Sequence, residues 1–339
     1  MEGVVSESRS PSTGFWSTER VLVTGATGMV GSHLCARLVD AGAVVVAFVA
    51  DDDPMSEFHR SGTFRRTSVV NGRLERYDDI ERAINNHAIS SIFHLGAQPI
   101  VGAANRSPRH TFETNIMGTW NLLDAARVLE PLVRRIVVAS SDKAYGSSET
   151  LPYVESMPLA GDHPYEVSKS CADLLATTYA RTYGSPCSIA RCGNIYGPGD
   201  LNWNRIVPGT FRSLIERRRP VLRSDGTLIR DYLHVDDIVN AYLLLGEQTH
   251  REEFRGRAFN FSDEAPRSVL EIYRAACAAA GRPEVEPEIL GEADDEIAAQ
   301  YLDATRAHEE LGWYASTTLE DGLQRTFEWY RRLLDGSAT

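Results

Sequence analysis

The sequence predicts an α/β protein in which a doubly wound parallel sheet is followed by a smaller mixed α/β region. Three observations support this fold class. Short apolar runs alternate with helical patterns from residue 20 to residue 192, and the links between them are short. A glycine-rich turn follows the first apolar run. The alternation stops at a loop rich in glycine and proline after residue 193, which marks a change of architecture.

Length and composition are those of an ordinary globular protein. The chain has 339 residues, of which 42% are hydrophobic and 24% charged, and this suffices for one large domain or two smaller ones. A net charge of −12 argues against a nucleic acid or an anionic membrane as partner. The five cysteines show neither a CxxC pair nor metal-ligand spacing, which predicts reduced thiols and no bound metal.

Residues 1–18 are predicted to form a flexible leader. They are rich in Ser, Gly and Glu and lack the apolar stretch of a signal peptide. No apolar run in the chain approaches the length needed to cross a bilayer. We therefore expect a cytoplasmic protein.

The first elements have the order strand, glycine turn, helix, strand. An apolar strand is predicted over Arg20 to Thr24, and the helical pattern that follows the glycines ends near Gly42. The next strand covers Val44 to Val49 and ends close to Asp51. The turn itself reads Gly25-Ala-Thr-Gly28-Met-Val-Gly31.

This arrangement predicts a dinucleotide site. Glycines in the turn let backbone N–H groups reach a pyrophosphate at the helix N-terminus. Asp51 follows Gly31 by twenty residues, the spacing at which an acid accepts hydrogen bonds from the adenosine ribose. Its charge would repel a 2′-phosphate, which favours NAD over NADP. Asp51-Asp52-Asp53-Pro54 can also be interpreted as a solvated turn.

The alternation then continues to the end of the predicted sheet. Strands are predicted over Thr67–Val70, Ile92–Leu95, Ile136–Ala139 and Ser188–Arg191, and helices over Asp78–His87, Thr111–Leu129 and Tyr165–Tyr183. An apolar stripe on the second helix consists of Phe112, Ile116, Trp120 and Leu123. Ligands of such sheets lie at the carboxyl ends of strands, where Gly96-Ala97-Gln98 and Ser140-Ser141-Asp142-Lys143 fall.

The remainder of the chain is mixed. Helices are predicted over Ile206–Glu216, Asp236–Leu245, Ser268–Ala280 and from Thr317 to about Leu334, with a strand-like piece over Leu222–Asp231 and a short strand over Phe259–Phe261. Two of these helices begin with the pattern of a capping box, Ser268 with Glu271 and Thr317 with Glu320.

Five side chains between Ser140 and Lys169 could perform chemistry on a sugar-like alcohol: Ser141, Asp142, Lys143, Tyr165 and Lys169. Tyr165 and Lys169 are four residues apart on a predicted helix and so share one face. The lysine cation is expected to lower the pKa of Tyr165, which could then take a proton from an alcohol near neutral pH. Such a pair also occurs by chance on surface helices, so the interpretation depends on the neighbouring cofactor site.

Six segments together resemble the extended short-chain dehydrogenase/reductase family: TGATGMVG, FHLGAQ, SSDKAYG, YEVSK, RCGNIYGPG and RDYLHVDD. They occur in a consistent order over roughly residues 20 to 335. The resemblance implies a nucleotide-sugar enzyme with a Rossmann-type NAD domain at 19–192, a returning segment near 232–250, and a substrate domain at 193–231 and 251–335. SSDKAYG and GDLNWNRIVP are most similar to the CDP-glucose 4,6-dehydratase branch.

The resemblance also implies catalytic roles. Tyr165 would act as base for the sugar 4-hydroxyl, Lys169 would tune it and hold the nicotinamide ribose, and Ser141 would hydrogen-bond the 4-oxygen. Asp142 matches the acid that protonates the departing 6-hydroxyl. Lys143 occupies the place of a glutamate base in the dTDP-glucose branch. Alternatively, Lys143 pairs structurally with Asp142 or Glu155, Asp142 caps a turn, and Ser141 caps a strand end.

Binding roles follow from the same resemblance. Asn194, Arg205 and Arg230 match positions near the substrate sugar or pyrophosphate, although exposed arginines can equally be plain surface charge. Arg73 stands where relatives have an aspartate that contacts adenine, and Ala298–Tyr301 lacks a basic residue that some relatives have, so the nucleobase stays open. The implied cofactor-binding set is Gly25, Thr27, Gly28, Met29, Val30, Gly31, Asp51, Arg73, Leu74, Leu95, Gly96, Ala97, Gln98, Asn115, Tyr165 and Lys169.

Three functions agree with these observations. The first is an NAD-dependent nucleotide-sugar 4,6-dehydratase, which needs Asp142 and Lys143. The second is a 4-epimerase, which needs Ser141, Tyr165 and Lys169 but no acid or base at C5 and C6. The third is a non-catalytic dinucleotide-binding protein. The resemblance further implies a homodimer formed through the helices predicted at Thr111–Leu129 and Tyr165–Tyr183.

Overall fold

A seven-stranded parallel sheet forms the centre of the molecule. The structure is a computed structural model that describes residues 8–12, 14–292 and 296–335. In these residues the strands are β1 (Arg20–Thr24), β2 (Val44–Val49), β3 (Ser68–Asn71), β4 (Ser91–His94), β5 (Arg135–Ala139), β6 (Cys187–Cys192), β7 (Asn194–Tyr196), β8 (Val221–Leu222), β9 (Ile229–Arg230), β10 (Tyr232–His234), β11 (Ala258–Phe261), β12 (Arg267–Ser268), β13 (Glu288–Ile289) and β14 (Ala299–Gln300). The central sheet has the order β3-β2-β1-β4-β5-β6-β11.

Helices cover both faces of this sheet. Those in the described residues are α1 (Met29–Asp40), α2 (Glu57–Arg60), α3 (Tyr77–Asn86), α4 (Val101–Arg106), α5 (Pro108–Phe112), α6 (Gly118–Val128), α7 (Pro164–Tyr183), α8 (Ile206–Ile215), α9 (Val235–Gln248), α10 (Val269–Ala279) and α11 (Leu319–Leu334). Val21 and Val23 of β1 pack in one core with α1 and α9, whereas Leu22 packs in a second core with α3, α6 and α7. This alternation follows from the two-residue period of a strand, and the predicted doubly wound fold is confirmed.

A third core lies among α8, α10 and α11. Phe211, Tyr273 and Tyr330 are buried there, and three short sheets (β7 with β10, β8 with β13, and β12-β9-β14) border this part of the chain. Most of these residues belong to the segments predicted to form the substrate domain. None of the described helices is both long enough and apolar enough to span a membrane.

The prediction of a flexible leader over residues 1–18 is wrong for residues 8–12 and 14–18, which the structure describes. Trp16 is only 1% exposed and packs against Phe93, with 5.5 Å between their ring centroids. The Ser12 backbone N–H and hydroxyl donate to the buried Glu247 carboxylate over 2.6 and 2.9 Å. The prediction failed because it weighed the polar residues and not the burial of one large aromatic. Residues 1–7 and 13 of the predicted leader lie outside the described residues.

The long helix predicted over Thr111–Leu129 is interrupted. A π-helical segment, Glu113–Met117, separates α5 from α6. The predicted apolar stripe is split, because Leu123 is buried whereas Trp120 is 43% exposed. Residues spaced by four drift around a helix of 3.6 residues per turn, so Trp120 leaves the face on which Leu122 and Leu123 are buried.

One predicted capping box is confirmed and the other is shifted. Ser268 and Glu271 cap α10 reciprocally. At α11 the N-cap is Thr318, whose hydroxyl accepts from the Asp321 backbone N–H, and not Thr317. The Thr317 backbone N–H donates to the Asp237 carboxylate over 3.2 Å, which holds this residue outside the helix.

Candidate active site

The glycine turn lies at the carboxyl end of β1, and two of its glycines have no room for a side chain. Gly25 has a φ of +71°, and a Cβ added there would lie 2.9 Å from the Gly96 nitrogen. A Cβ on Gly31 would lie 2.1 Å from the Gly25 carbonyl oxygen. Gly28 is the N-cap of α1, so the first-turn N–H groups, including those of Met29 and Val30, lack intrahelical acceptors. The turn therefore fits the pyrophosphate of a dinucleotide.

The other predicted adenosine-side residues lie around this turn. Asp51 is exposed just after β2, and its carbonyl oxygen accepts from the Thr27 hydroxyl over 3.5 Å. Arg73 is exposed, and its backbone N–H donates to Asp79. Leu74 is buried, and Cβ atoms built on Gly96 and Gly118 would clash with its side chain. Leu74 thus packs against the loop that follows β4.

Asn115 joins that loop to α7. Its side-chain oxygen accepts from the Gln98 backbone N–H over 2.7 Å, and its amide donates to the Gln98 carbonyl oxygen over 3.2 Å and to the Ser168 hydroxyl over 2.9 Å. Asn115 lies within the π-helical segment, and such segments often occur at functional sites. Leu95, Gly96, Ala97 and Gln98 are all half-buried at this edge of the sheet.

Tyr165 and Lys169 both lie on α7. The prediction that the lysine cation lowers the pKa of Tyr165 is wrong for this structure, in which that pKa is raised. Burial raises the pKa of Tyr165 to about 12, against the opposing effects of the Arg205 charge and a hydrogen bond with Ser141. The Lys169 ammonium donates to the Ala139 carbonyl oxygen over 2.9 Å and lies 6.0 Å from the Tyr165 ring centroid. Burial also lowers the pKa of Lys169 to about 8.

Ser141, Asp142 and Lys143 form one hydrogen-bonded group after β5. The Ser141 hydroxyl donates to Asp142 Oδ1 over 2.8 Å and accepts from the Lys143 backbone N–H over 3.2 Å. Lys143 Nζ donates to Asp142 Oδ2 over 3.2 Å. Asp142 is only 2% exposed. The structure thus contains the Asp142–Lys143 contact that the structural interpretation of Lys143 predicts.

A buried polar network supports this group, and the sequence interpretation missed it. The Tyr145 hydroxyl donates to Asn260 Oδ1 over 2.8 Å and accepts from Arg191 over 2.7 Å. The Arg191 guanidinium also forms a bidentate pair with Asp173 at 2.8 and 2.9 Å. Because the partners come from β6, α7 and β11, the network holds the turn Asp142–Tyr145 against the sheet.

Gln300 is a second residue that the sequence did not single out. It lies on β14, is 1% exposed, and its amide oxygen accepts a hydrogen bond from Lys143 Nζ. The sequence separation is 157 residues, and no local motif links the two. Gln300 belongs to the segment Ala298–Tyr301, which the sequence analysis noted only for its missing basic residue.

The predicted substrate-binding residues lie at different depths. Arg205 pairs with Asp200 over 3.0 Å, and its charge opposes the rise that burial causes in the pKa of Tyr165. Arg230 is buried, donates to the Ile229 carbonyl oxygen over 2.8 Å, and contacts Glu296 over 3.4 Å. Asn194 is half-buried at the start of β7.

Lysine is rare among the basic residues of this chain. Of the 35 basic residues in the chain, two are lysines, Lys143 and Lys169, and the rest are arginines. A guanidinium stays protonated in proteins, whereas an amine can lose its proton. Both side chains of the chain that end in such an amine therefore belong to the candidate site.

Comparison with known proteins identifies the family. A model of the family described as GDP-mannose 4,6 dehydratase matches residues 22–326. The chain belongs to this family. The family and the enzymatic character predicted from the sequence are therefore confirmed.

Relatives in this family bear both dehydratase and epimerase names. The chain is 27% identical to the CDP-glucose 4,6-dehydratase of Salmonella typhimurium, over 95% of this chain and 93% of the relative. It is 31% identical to the UDP-glucose 4-epimerase of Mycolicibacterium smegmatis, over 92% and 98%. Among solved structures, the dTDP-glucose 4,6-dehydratase of Streptomyces venezuelae with NAD bound has a TM-score of 0.82 and 26% identity, over 92% and 97%. Names alone therefore do not separate the two reactions.

Proposed function

We propose that this protein is an NAD-dependent nucleotide-sugar 4,6-dehydratase that converts an NDP-hexose of the CDP-glucose kind into the NDP-4-keto-6-deoxyhexose. The observation that carries the proposal is that a buried acid, Asp142, and a half-buried amine, Lys143, lie in contact beside Ser141. A 4-epimerase needs neither an acid nor a base at C5 and C6, whereas loss of water needs both.

The first task of the site is to oxidise C4. Tyr165 takes the proton of the sugar 4-hydroxyl, Ser141 hydrogen-bonds the 4-oxygen, and Lys169 holds the nicotinamide ribose. When bound at the glycine turn, NAD supplies the hydride acceptor for C4, the hydride donor for C6 and a positive charge that lowers the pKa of nearby groups. The ketone at C4 makes the C5 proton acidic.

The second task is to remove water, and the Asp142–Lys143 pair contains the one proton that this step needs. Transfer of a proton from the Lys143 ammonium to the Asp142 carboxylate yields a neutral amine and a carboxylic acid. The amine then takes the C5 proton while the C5–C6 double bond forms and the C6–O bond breaks. Asp142 protonates the departing oxygen, and water leaves.

The pair returns to its starting state in the same step. After water has left, Lys143 is an ammonium ion and Asp142 a carboxylate. When hydride is returned to C6, the Lys143 ammonium would give a proton back to C5, and exchange with solvent would then restore a proton to Lys143 and remove one from Tyr165, so the turnover needs no net proton. Asp142 is also close enough to Lys143 for direct transfer, because 3.2 Å separates Oδ2 from Nζ. Arg205 and Arg230 are proposed to bind the pyrophosphate, and Asn194 the sugar or its phosphate.

The test is incubation of the NAD-loaded protein with CDP-, UDP-, GDP- and dTDP-hexoses, followed by mass spectrometry of the products. A product lighter by one water supports the dehydratase. A product of unchanged mass but altered C4 configuration supports the epimerase, and Tyr165→Phe should abolish either reaction. No turnover with any sugar, despite bound NAD, would leave only the non-catalytic interpretation.

We further propose that the protein acts as a cytoplasmic homodimer. All five cysteines are free thiols, which agrees with a reducing compartment. For the dimer, the support is an apolar surface on two neighbouring helices, α6 and α7, where Trp120, Val128 and Leu174 are exposed. The two helices are linked by a hydrogen bond from the Tyr179 hydroxyl to Asp124.

A further inference from the structure

Lys143 is held from two sides, and only one of its two partners comes from its own loop. Asp142 is the adjacent residue, whereas Gln300 reaches Lys143 from the short strand β14. Gln300 is almost completely buried, so this contact is shielded from competing water. A neutral amide oxygen accepts an N–H from an ammonium and from a neutral amine alike.

Backbone hydrogen bonds on both sides of Gln300 keep it in place. β14 pairs with β9 in parallel, with Gln300 opposite Arg230. The Tyr301 carbonyl oxygen accepts from the Tyr153 backbone N–H over 2.9 Å, and the Leu302 backbone N–H donates to the Asp231 carboxylate over 2.7 Å. The side chain therefore starts from a well-anchored backbone.

The buried amide of Gln300 does more than occupy volume in the core. Gln300 Nε2 is buried and donates no well-formed hydrogen bond to a described residue. Its polar neighbour is the Tyr153 phenol, whose pKa burial raises and this amide acts to lower. Leaving a buried donor unpaired costs about 1–3 kcal/mol, which a methionine or leucine of similar volume would avoid. The cost is offset if the amide oxygen serves the amine of Lys143.

We propose that Gln300 is a positioning residue for Lys143. Its amide oxygen keeps one amine N–H in a fixed direction while Asp142 exchanges a proton with the amine. The lone pair of the neutral amine is then directed to the remaining side, where the C5 proton must lie. This inference rests on the proposed dehydratase function, but its effect on Lys143 can be measured without any turnover.

The scarcity of lysine makes a direct test possible. Protein labelled with ¹³C only at lysine Cε contains two labelled side chains, Lys143 and Lys169, and Lys143→Arg assigns the signals by removing one. In Gln300→Met the Lys143 signal should shift at constant pH because its acceptor is gone. In Gln300→Glu its titration midpoint should rise, since a carboxylate favours the ammonium ion. The Lys169 signal serves as the internal reference.

Turnover supplies the second readout. Gln300→Met should reduce kcat for water loss about tenfold or more, in the range of lost acid–base positioning, with KM changed less than about twofold. In Gln300→Glu the rising limb of the kcat profile should move to higher pH. Gln324→Met, a change at an exposed glutamine of α11, is the matched control and should alter neither readout.

The outcomes separate this inference from the proposed function. If both Gln300 variants are folded and leave the Lys143 signal and kcat unchanged, Gln300 has no positioning role. If the signal responds but no sugar loses water even in the parent protein, the contact is real and the dehydratase proposal fails instead. Should Gln300→Met not fold, Gln300→Glu retains the acceptor and decides the question.

Discussion

Lys143 and Lys169 are residues of the same type in the proposed active site, and their surroundings differ. Lys143 contacts a carboxylate and an amide oxygen, which offer it partners in its charged form. Lys169 has only the Ala139 carbonyl oxygen as its hydrogen-bond partner in the described residues. Burial with little compensation therefore lowers the pKa of Lys169 to about 8.

Replacing Lys143 tests whether an amine that can lose its proton is essential. In Lys143→Arg the charge and the contact with Asp142 can persist, but the guanidinium cannot act as a base. We expect water loss and exchange of the C5 proton to fall by about 10²-fold or more, while reduction of bound NAD by the sugar persists. Lys143→Ala should behave in the same way. Dehydration at the parent rate in either variant would exclude Lys143 as the base.

Lys169 should make the stability of the cofactor-free protein depend on pH. Its pKa falls from an ordinary 10.5 to about 8 on folding, so its unfolded form binds more protons between these values. The contribution of this group to stability is complete above about pH 10.5 and is lost as pH falls through about 8. The full difference is on the order of 3 kcal/mol.

The measurement compares the free energy of unfolding of the parent with that of Lys169→Met at several pH values between 7 and 10. We expect the free energy of unfolding of the parent to rise relative to that of the variant as pH rises. Both proteins contain the same buried thiols, so the contributions of these thiols to the pH dependence should cancel. Parallel curves would show that Lys169 keeps an ordinary pKa in the folded state.

At the scale of single elements, local signals place helices well and their first residues less well. The predicted helices at α1, α3, α7, α8, α9 and α10 differ from the structure by a few residues at most. At α11 two threonines compete for the cap, and the choice depends on Asp237, which belongs to α9. A tertiary contact thus decides a feature that seemed local.

This pair of threonines offers a controlled test of the cap. Thr318→Ala should lower the free energy of unfolding by about 1 kcal/mol, because the Asp321 N–H loses its acceptor. Thr317→Ala should change it by less than about 0.5 kcal/mol, since only the backbone of Thr317 bonds to Asp237. Denaturant unfolding of the two variants and the parent measures both changes. Equal costs, or a larger cost at Thr317, would contradict the assigned N-cap.

At the scale of the whole molecule, the exposed apolar residues on α6 and α7 call for an explanation. Leu174 is 54% exposed at a point where a monomer would gain from a polar residue. Trp120 and Val128 on the neighbouring helix extend the same type of surface. A two-fold interface would bury this surface on both copies at once.

Leu174→Glu should therefore convert the proposed homodimer into a monomer, because it would place carboxylates in an apolar interface. Val221→Glu is the matched control, since Val221 is similarly exposed but lies on β8, outside α6 and α7. Analytical ultracentrifugation at several protein concentrations measures the result. A parent protein that sediments as a monomer, or a Leu174→Glu variant that stays dimeric, would contradict the proposed interface.

The sequence by itself determined the alternation of strands and helices from β1 to β6, the glycine turn at Gly25 to Gly31 and the grouping of Ser141, Asp142 and Lys143. These features depend on periodicity and short spacing, which act within a few residues. Only the tertiary structure decided that Trp16 is buried, that Gln300 meets Lys143 and that the pKa of Tyr165 is raised and not lowered. Contacts across 157 residues and the loss of water around a phenol depend on how elements pack, and no local pattern encodes them.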